Sequence, residues 1–100
     1  MSSYPRETKE FVVIVAAVDG VALTSADAAH VAYCITAPNA RPVEWVNVDT
    51  LETAIGFLIG PGSDNDYSAL TSYPVDHRVW TRDSDNPEAP VIDCGLFRIT

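Results

Sequence analysis

Basic residues, cysteine and long hydrophobic runs are all scarce in this chain, and each scarcity excludes a class of protein. Six lysines and arginines stand against fourteen acidic residues, so the net charge is -8. Such a charge repels the phosphates of nucleic acids, and we expect no nucleic acid partner. It also favours an exposed protein that stays in solution.

The longest hydrophobic run is too short to span a membrane as a helix. It covers residues 11–18, whereas a membrane helix needs about 20 apolar residues. Glu7 and Glu10 before the run, and Asp19-Gly20 at its end, do not fit the basic leader and apolar core of a signal peptide. We therefore expect a mature, soluble chain with no membrane partner.

Only two cysteines are present, Cys34 and Cys94. Two thiols in a chain without a secretory signal are more often buried and reduced than bridged. The disulfide of immunoglobulin domains joins the second and sixth strands, and Cys94 falls on the seventh predicted strand. Free thiols are favoured, and a single bridge is the open alternative.

What the chain does contain is a series of short apolar segments separated by turn signals. The predicted strands cover residues 11–18, 30–36, 44–49, 53–60, 75–81 and 91–99, with a short strand or turn at 67–70 and one helical turn within 22–29. About seven strands at roughly ten-residue spacing predict an all-β fold, an immunoglobulin-like β-sandwich. We expect residues 1–6 to be a flexible N-terminal arm and residues 7–100 to form a single domain.

Alternation within the strands predicts which side chains share a face. Val31, Tyr33 and Ile35 lie on one face of their strand, which places Cys34 on the other. Further predicted rows are Ile55, Phe57 and Ile59; Val75, His77 and Val79 against Asp76, Arg78 and Trp80; and Val91, Asp93, Gly95, Phe97 and Ile99 against Ile92, Cys94, Leu96 and Arg98. The phase of residues 44–49 stays open. Trp45 and Trp80 are predicted to be core residues, with aromatics of a binding face as the alternative.

The last 22 residues, 79–100, predict a β-hairpin that closes the fold. Pro87 and Pro90 have no N–H to give to a strand ladder, and Asp85-Asn86 are typical turn residues. The chain is therefore expected to reverse within residues 83–90.

No catalytic signature is recognisable. Ser72, His77 and Asp76 are the residue types of a hydrolase triad, but neighbours on a strand point to opposite faces, so Asp76 does not orient His77. Neither His30 nor His77 has the partners of a zinc site, and both are predicted to be surface or partly buried strand residues. We expect no enzyme, no catalytic residue and no cofactor.

Three segments in two loops are candidates for ligand binding. Gly60-Pro61-Gly62-Ser63 lacks the lysine and the following helix of a phosphate loop. The acidic clusters Asp64-Asn65-Asp66 and Asp83-Ser84-Asp85-Asn86 with Glu88 offer oxygen ligands for calcium, but Glu88 stands where an EF-hand needs glycine. Turn chemistry is the favoured interpretation, with calcium as the alternative, and no metal site is expected.

The second half of the chain carries a distinctive set of motifs. They are Leu58-Ile59-Gly60-Pro61-Gly62, Val79-Trp80, Arg82, Asp85-Asn86-Pro87-Glu88, Pro90-Val91 and Gly95-Leu96, with an earlier Glu44-Trp45. Together they resemble a group of small virion structural proteins of actinobacterial tailed phages and prophages, which typically end in V-W-x-R-x-T-D-N-P-E-x-P-V and a G-x-L-x-I strand. Asp83 and Ser84 depart from that pattern, and the segment 73–78 is longer than in the group. The local strand register is therefore left open.

The resemblance implies a non-enzymatic structural protein with an immunoglobulin-like fold, located in the virion and assembled in the host cytoplasm. The expected role is a capsid decoration (head) protein that binds neighbouring phage structural proteins, in a homo-oligomeric arrangement. One alternative is a head-to-tail connector or tail-tube-associated protein. Another, which does not depend on the resemblance, is an adhesion or carbohydrate-binding module.

Overall fold

The computed structural model describes residues 1–85 and 88–100, and it is built almost entirely of β-strands. In chain order the strands are β1 (Ser2–Tyr4), β2 (Glu10–Ile14), β3 (Ala17–Val18), β4 (Val21–Ala22), β5 (Val31–Thr36), β6 (Val46–Asn47), β7 (Asp49–Leu51), β8 (Ala54–Ile59), β9 (Val75–Asp83) and β10 (Val91–Ile99). A 3₁₀ helix, Ser25–His30, precedes β5.

Eight of these strands form two sheets that pack face to face, and β3 and β4 form a separate two-stranded sheet. The five-stranded sheet has the order β1-β10-β9-β5-β6, and the three-stranded sheet has the order β2-β8-β7. Strand β1 runs parallel to β10, and the other neighbours are antiparallel. In immunoglobulin terms β10-β9-β5-β6 correspond to G-F-C-C′ and β2-β8-β7 to B-E-D. The predicted all-β sandwich is confirmed.

The core lies between the two sheets and is centred on aromatic and β-branched side chains. Ile55, Phe57 and Ile59, the row predicted in this strand, are 0%, 0% and 1% exposed. Phe57 stacks on Tyr33 of the opposite sheet with ring centroids 4.7 Å apart. Fully burying a side chain of this size contributes about 1.5–3 kcal/mol, so this row is a main source of stability.

The apolar run at 11–18 is not one strand, as predicted, but two. Strand β2 ends at Ile14, and β3 turns back on β4 through Asp19-Gly20. Both turn residues have positive φ, 51° and 80°, which is the geometry of a two-residue hairpin turn. Strand β2 therefore ends before the apolar run does, and the turn signal closes the separate hairpin of β3 and β4.

The helical turn predicted within 22–29 is the 3₁₀ helix at Ser25–His30. Thr24 caps it, because Ala26 N donates to Thr24 Oγ1 at 3.3 Å and Thr24 N donates to Asp27 Oδ2 at 2.8 Å. His30 is the last residue of this helix, so the prediction that it begins a strand was wrong by one residue.

The unresolved phase at 44–49 has a structural reason. Val46–Asn47 pair with β5 in one sheet, whereas Asp49–Leu51 pair with β8 in the other. The chain crosses between the sheets at the buried Val48, whose N–H donates to Val31 O at 3.2 Å. Residues 67–70 form a turn and not a strand, with Leu70 N donating to Tyr67 O.

Within the predicted N-terminal arm at residues 1–6, Ser2–Tyr4 form strand β1. Ser2–Tyr4 pair in parallel with Phe97–Ile99. The contact continues through Arg6 N, which donates to Thr100 O at 3.0 Å, and Thr100 N, which donates to Tyr4 O at 3.0 Å. The segment completes one edge of the five-stranded sheet.

The closing hairpin is confirmed as the antiparallel pair β9 and β10. Pairing extends from Val75↔Ile99 to Arg82↔Val91. A bulge between Asp93 and Leu96 interrupts the pairing, with Gly95 at φ 92° and its N–H donating to Asp93 Oδ1 at 2.9 Å. The bulge inverts the predicted alternation, and the two faces become Val91, Asp93, Leu96 and Arg98 against Ile92, Cys94, Phe97 and Ile99. The predicted turn residues Asn86 and Pro87 lie outside the described residues.

Candidate interaction surface

The outward face of the five-stranded sheet carries the most distinctive side chains of the molecule. Val79 belongs to the core cluster between the sheets, so the alternate positions of β9 point away from it. Those positions are Asp76, Arg78, Trp80 and Arg82. We call this surface, together with Trp45 and Arg41, which stack on it, the arginine–tryptophan face.

Trp80 lies at the centre of the face. It is opposite Cys34 of β5 and Asp93 of β10, and its Nε1 donates to Thr36 Oγ1 at 3.0 Å. It is 7% exposed, yet it is absent from the cluster between the sheets. The prediction that Trp80 is part of that core was wrong. Its side chain lies on the outer side of the sheet, where Arg41 covers the ring.

Arginines cover both tryptophans. The guanidinium carbon of Arg41 lies 4.9 Å from the ring centroid of Trp80, and that of Arg82 lies 4.7 Å from the ring of Trp45. Each cation–π contact at an exposed site is worth about 0.5–1 kcal/mol. These contacts hold the loop at 37–45 against the sheet. Trp45 lies in that loop, half-buried, and is not a core residue as predicted.

The other two arginines of the face are paired with carboxylates. Arg98 Nε donates to Asp76 Oδ1 at 2.8 Å, and this bond lowers the pKa of Asp76. Arg78 Nη1 donates to Asp93 Oδ2 at 2.6 Å, while its Nε donates to Pro38 O at 2.7 Å. The pKa of Asp93 is lowered first by the Gly95 N–H and then by Arg78.

The face differs in charge from the rest of the molecule. It holds four of the six basic residues of a chain with net charge -8, and both tryptophans. The outward positions of β9 and β10 contribute two carboxylates, Asp76 and Asp93. Most of the acidic residues therefore lie elsewhere, and the face is a basic and aromatic island on an acidic protein.

The outward face of the three-stranded sheet is mostly aliphatic, with Asp49 of β7 beside Gly56 at its edge. Its exposed side chains are Val13 (50%), Leu51 (53%) and Leu58 (39%), next to Phe11. Gly56 lies among them, and a Cβ there would approach Val12 O to 2.0 Å and Phe11 Cε1 to 2.8 Å. We call this surface the apolar face.

Acidic side chains gather beside Tyr33, at a place we call the acidic edge: Asp49, Asp64 and Asp66. Asn65 fixes the loop there, because its Nδ2 donates to Tyr33 Oη and to Leu58 O, both at 3.0 Å. Burial raises the pKa of Tyr33, and the charges of Asp49 and Asp64 raise it further. These two carboxylates therefore lie close enough to the phenol to act on it.

The candidate ligand loops are occupied with turn contacts. Asp66 Oδ1 accepts from Ser68 Oγ at 2.6 Å and from Ser68 N at 2.9 Å, which lowers the pKa of Asp66. Ser63 Oγ donates to Gly60 O at 2.8 Å. Within residues 1–85 and 88–100, no group of three or more histidine, cysteine, aspartate or glutamate side chains is arranged to hold a metal ion.

The second acidic loop is tied to a histidine. His30 Nδ1 and Asp83 Oδ1 are 2.9 Å apart, and this contact raises the pKa of His30, with further contributions from Asp85 and Asp27. Asp83 Oδ1 also accepts from Asp85 N at 3.1 Å. The cluster joins the end of the 3₁₀ helix to the end of β9.

His77 lies on the core side of β9. Its ring is 4.6 Å from Tyr67 and 5.3 Å from Phe97, and burial lowers its pKa. Its Nε2 is buried and has no hydrogen-bond partner among the described residues. Asp76 points outward to Arg98, so the two neighbours do point to opposite faces, and Asp76 and His77 do not form the acid–histidine pair of a triad.

The two cysteines are free. Cys34 points outward opposite Trp80, as its predicted place in the alternation required. Cys94 packs against the core and its Sγ is 3.2 Å from Thr81 Oγ1; burial raises the pKa of its thiol. The thiols therefore lie on opposite sides of the same sheet.

These observations define an all-β sandwich of immunoglobulin-like topology with contrasting outer faces. Comparison with known proteins found no family model, no curated protein and no solved structure that matches the chain. Within the described part of the chain, no helix has the length and apolar character needed to cross a membrane.

Sequence reasoning gave a binding face with Trp45 and Trp80 only as an alternative, and it missed the arginines that cover them. Once β9 is placed, its outward residues read Asp, Arg, Trp, Arg, which is unusual for the solvent side of a sheet. What the sequence does not show is that the loop at 37–45 folds back, so that Arg41 covers Trp80 and Trp45 lies under Arg82.

Proposed function

We propose that this chain is a non-enzymatic structural protein of a tailed bacteriophage particle and that it works by binding other protein subunits. The observation that carries the proposal is where the resembling motif lies in the fold. In the V-W-x-R run, Val79 packs in the core while Trp80 and Arg82 both point out onto the arginine–tryptophan face. Tryptophan and arginine are enriched at protein interfaces and at their energetic centres.

The proposed place in the particle is the outer surface of the capsid, as a decoration protein. A net charge of -8 suits the outside of the shell, away from packaged DNA. A position at the head-to-tail connector or on the tail tube is the alternative, and it would use the same face.

The first test asks whether the chain is part of a particle at all. Particles from a host strain that encodes the chain would be purified on a density gradient, analysed by mass spectrometry and labelled with an antibody against the chain. We expect the chain in intact particles, with label on the heads. Label at the neck or tail would support the alternative position, and absence from purified particles would contradict the proposal.

The second test asks whether the arginine–tryptophan face makes the attachment. Heads assembled without the chain would be mixed with purified wild type, with the double variant Trp45→Ala/Arg82→Ala, and with Val13→Ser as a matched control on the apolar face. We expect wild type and Val13→Ser to sediment with the heads and the double variant to remain in the supernatant. Equal sedimentation of all three would show that this face is not the attachment surface.

A further inference from the structure

We infer that the arginine–tryptophan face binds the acidic edge of a second copy of this chain. The inference concerns the chain itself and holds whether or not a phage particle is involved. A face that is bound to a second copy is not free for a capsid subunit, so this contact and the proposed capsid contact compete for the same surface. It follows from the distribution of charge, from unsatisfied groups on the face and from the position of the acidic edge.

The face has binding capacity that the single chain does not use. Arg41 and Arg82 form no ion pair within residues 1–85 and 88–100. Arg82 Nε is buried and has no hydrogen-bond partner in the same residues. Val91, directly opposite Arg82, is 47% exposed, so an apolar contact is available beside the two cations.

The acidic edge has the complementary property. Asp49, Asp64 and Asp66 are exposed, and none of them forms an ion pair with a cation in the described part of the chain. Asp49 and Asp64 line one depression with Tyr33, so a cation that approached from outside would meet both carboxylates.

Charge decides which surfaces can meet. Two arginine–tryptophan faces brought together would oppose Arg41 and Arg82 of each copy, since Arg78 and Arg98 are paired with Asp93 and Asp76. Two acidic edges would repel each other in the same way. A face against an acidic edge brings opposite charges together, which steers association and fixes its register. Any solution of this chain contains other copies, and each copy offers an acidic edge.

The two surfaces also adjoin on one molecule. Arg41, Asp64 and Asp66 line the same groove, which runs beside strand β6. Two copies can therefore meet in a closed pair in which each face covers the partner's acidic edge, or they can meet in a chain in which each copy uses its two surfaces on different neighbours. Either arrangement satisfies the inference.

The experiment uses two variants that each remove one side of the contact. The face variant is Arg41→Glu/Arg82→Glu, and the edge variant is Asp49→Lys/Asp64→Lys. The control variant, Glu7→Lys/Glu10→Lys, changes the net charge by as much as the edge variant at exposed residues outside both surfaces. Circular dichroism and thermal unfolding would confirm that every variant is folded.

Sedimentation equilibrium would measure self-association across a concentration series at physiological salt. We expect wild type and the control variant to associate, and the face and edge variants each to lose at least about tenfold in association constant, because each leaves desolvated charges facing like charges. If the face variant proves unfolded, Arg82→Gln replaces it, with a smaller loss expected.

Mixing the two variants gives the sharpest result. The face variant still has its acidic edge, and the edge variant still has its face, so an equimolar mixture should form heterodimers although neither variant associates alone. Heterodimers support the inference. It would be overturned by a wild type that stays monomeric, by an edge variant that associates as well as wild type, or by a mixture that stays monomeric.

Discussion

The two outer faces of the sandwich follow the same alternation of strand residues, but they are covered in different ways. On the five-stranded sheet, Trp80 is 7% exposed and the guanidinium of Arg41 lies over its ring. On the three-stranded sheet, Val13 and Leu58 face outward with little cover. Exposed apolar area is common on protein surfaces, whereas an ordered arginine–tryptophan layer requires specific partners for each group. This difference is the reason why we propose the first face as the binding surface.

The largest expected effect breaks the arginine–tryptophan face at its centre. Trp80→Ala removes a side chain that is 7% exposed and that Arg41 covers. We expect a loss of about 3–5 kcal/mol in the free energy of unfolding, as for other large buried aromatics. Chemical denaturation would measure it. Leu58→Ala, on the apolar face, is the matched comparison and should cost clearly less, and equal losses would remove the distinction between the faces.

The next effect concerns the apolar face, where the backbone of β2 leaves no room for a side chain at Gly56. Gly56→Ala places a Cβ 2.0 Å from Val12 O, so β2 and β8 must move apart. We expect a loss of about 2–3 kcal/mol in unfolding free energy from this overpacking. Gly20→Ala is the control, since nothing lies within 4 Å of its Cβ position. A Gly56→Ala variant as stable as wild type would show that the sheet has room there.

A smaller effect separates stacking from charge on the arginine–tryptophan face. Arg82→Ala removes the cation over Trp45 and should cost about 1 kcal/mol, while Arg82→Lys should keep part of it. The fluorescence of Trp45, read in a Trp80→Phe background, would report the change in ring environment alongside the unfolding curve. No difference between alanine and lysine would show that the cation contributes nothing at this position.

The smallest effect is the pH dependence of stability that comes from His77, which lies in the core between the sheets. Its pKa is lowered in the folded protein, so its contribution is complete above the unfolded value of 6.5 and is lost as the pH falls below it. His30, whose pKa is raised, acts in the opposite sense, and its contribution is lost as the pH rises through the folded value. His77→Gln should therefore reduce the loss of stability between pH 7 and pH 5, as followed by thermal unfolding. A steeper loss in that variant would contradict the assignment, and His30→Gln is the control with the opposite sign.

Much of the sandwich could be predicted from the sequence because its signals are local. The row Ile55, Phe57 and Ile59 and the closing hairpin follow from alternation and turn residues. The crossing at Val48 and the bulge at Gly95 could not be predicted, because both depend on how two distant segments meet. The same is true of the arginine–tryptophan face, since Arg41 and Trp80 are far apart in the chain. The outward residues of β9 follow from alternation. The position of Arg41 over Trp80 depends on a tertiary contact that the sequence does not show.

The central claim is that the arginine–tryptophan face, and not the apolar face, is buried when the chain binds its partner. Hydrogen–deuterium exchange of the free chain and of the chain bound to assembled heads, or of the self-associated chain, tests this directly. The account predicts new protection in residues 41–47 and 78–83, with little change in residues 10–14 and 54–58. Protection confined to residues 10–14 and 54–58 would contradict it and would make the apolar face the binding surface.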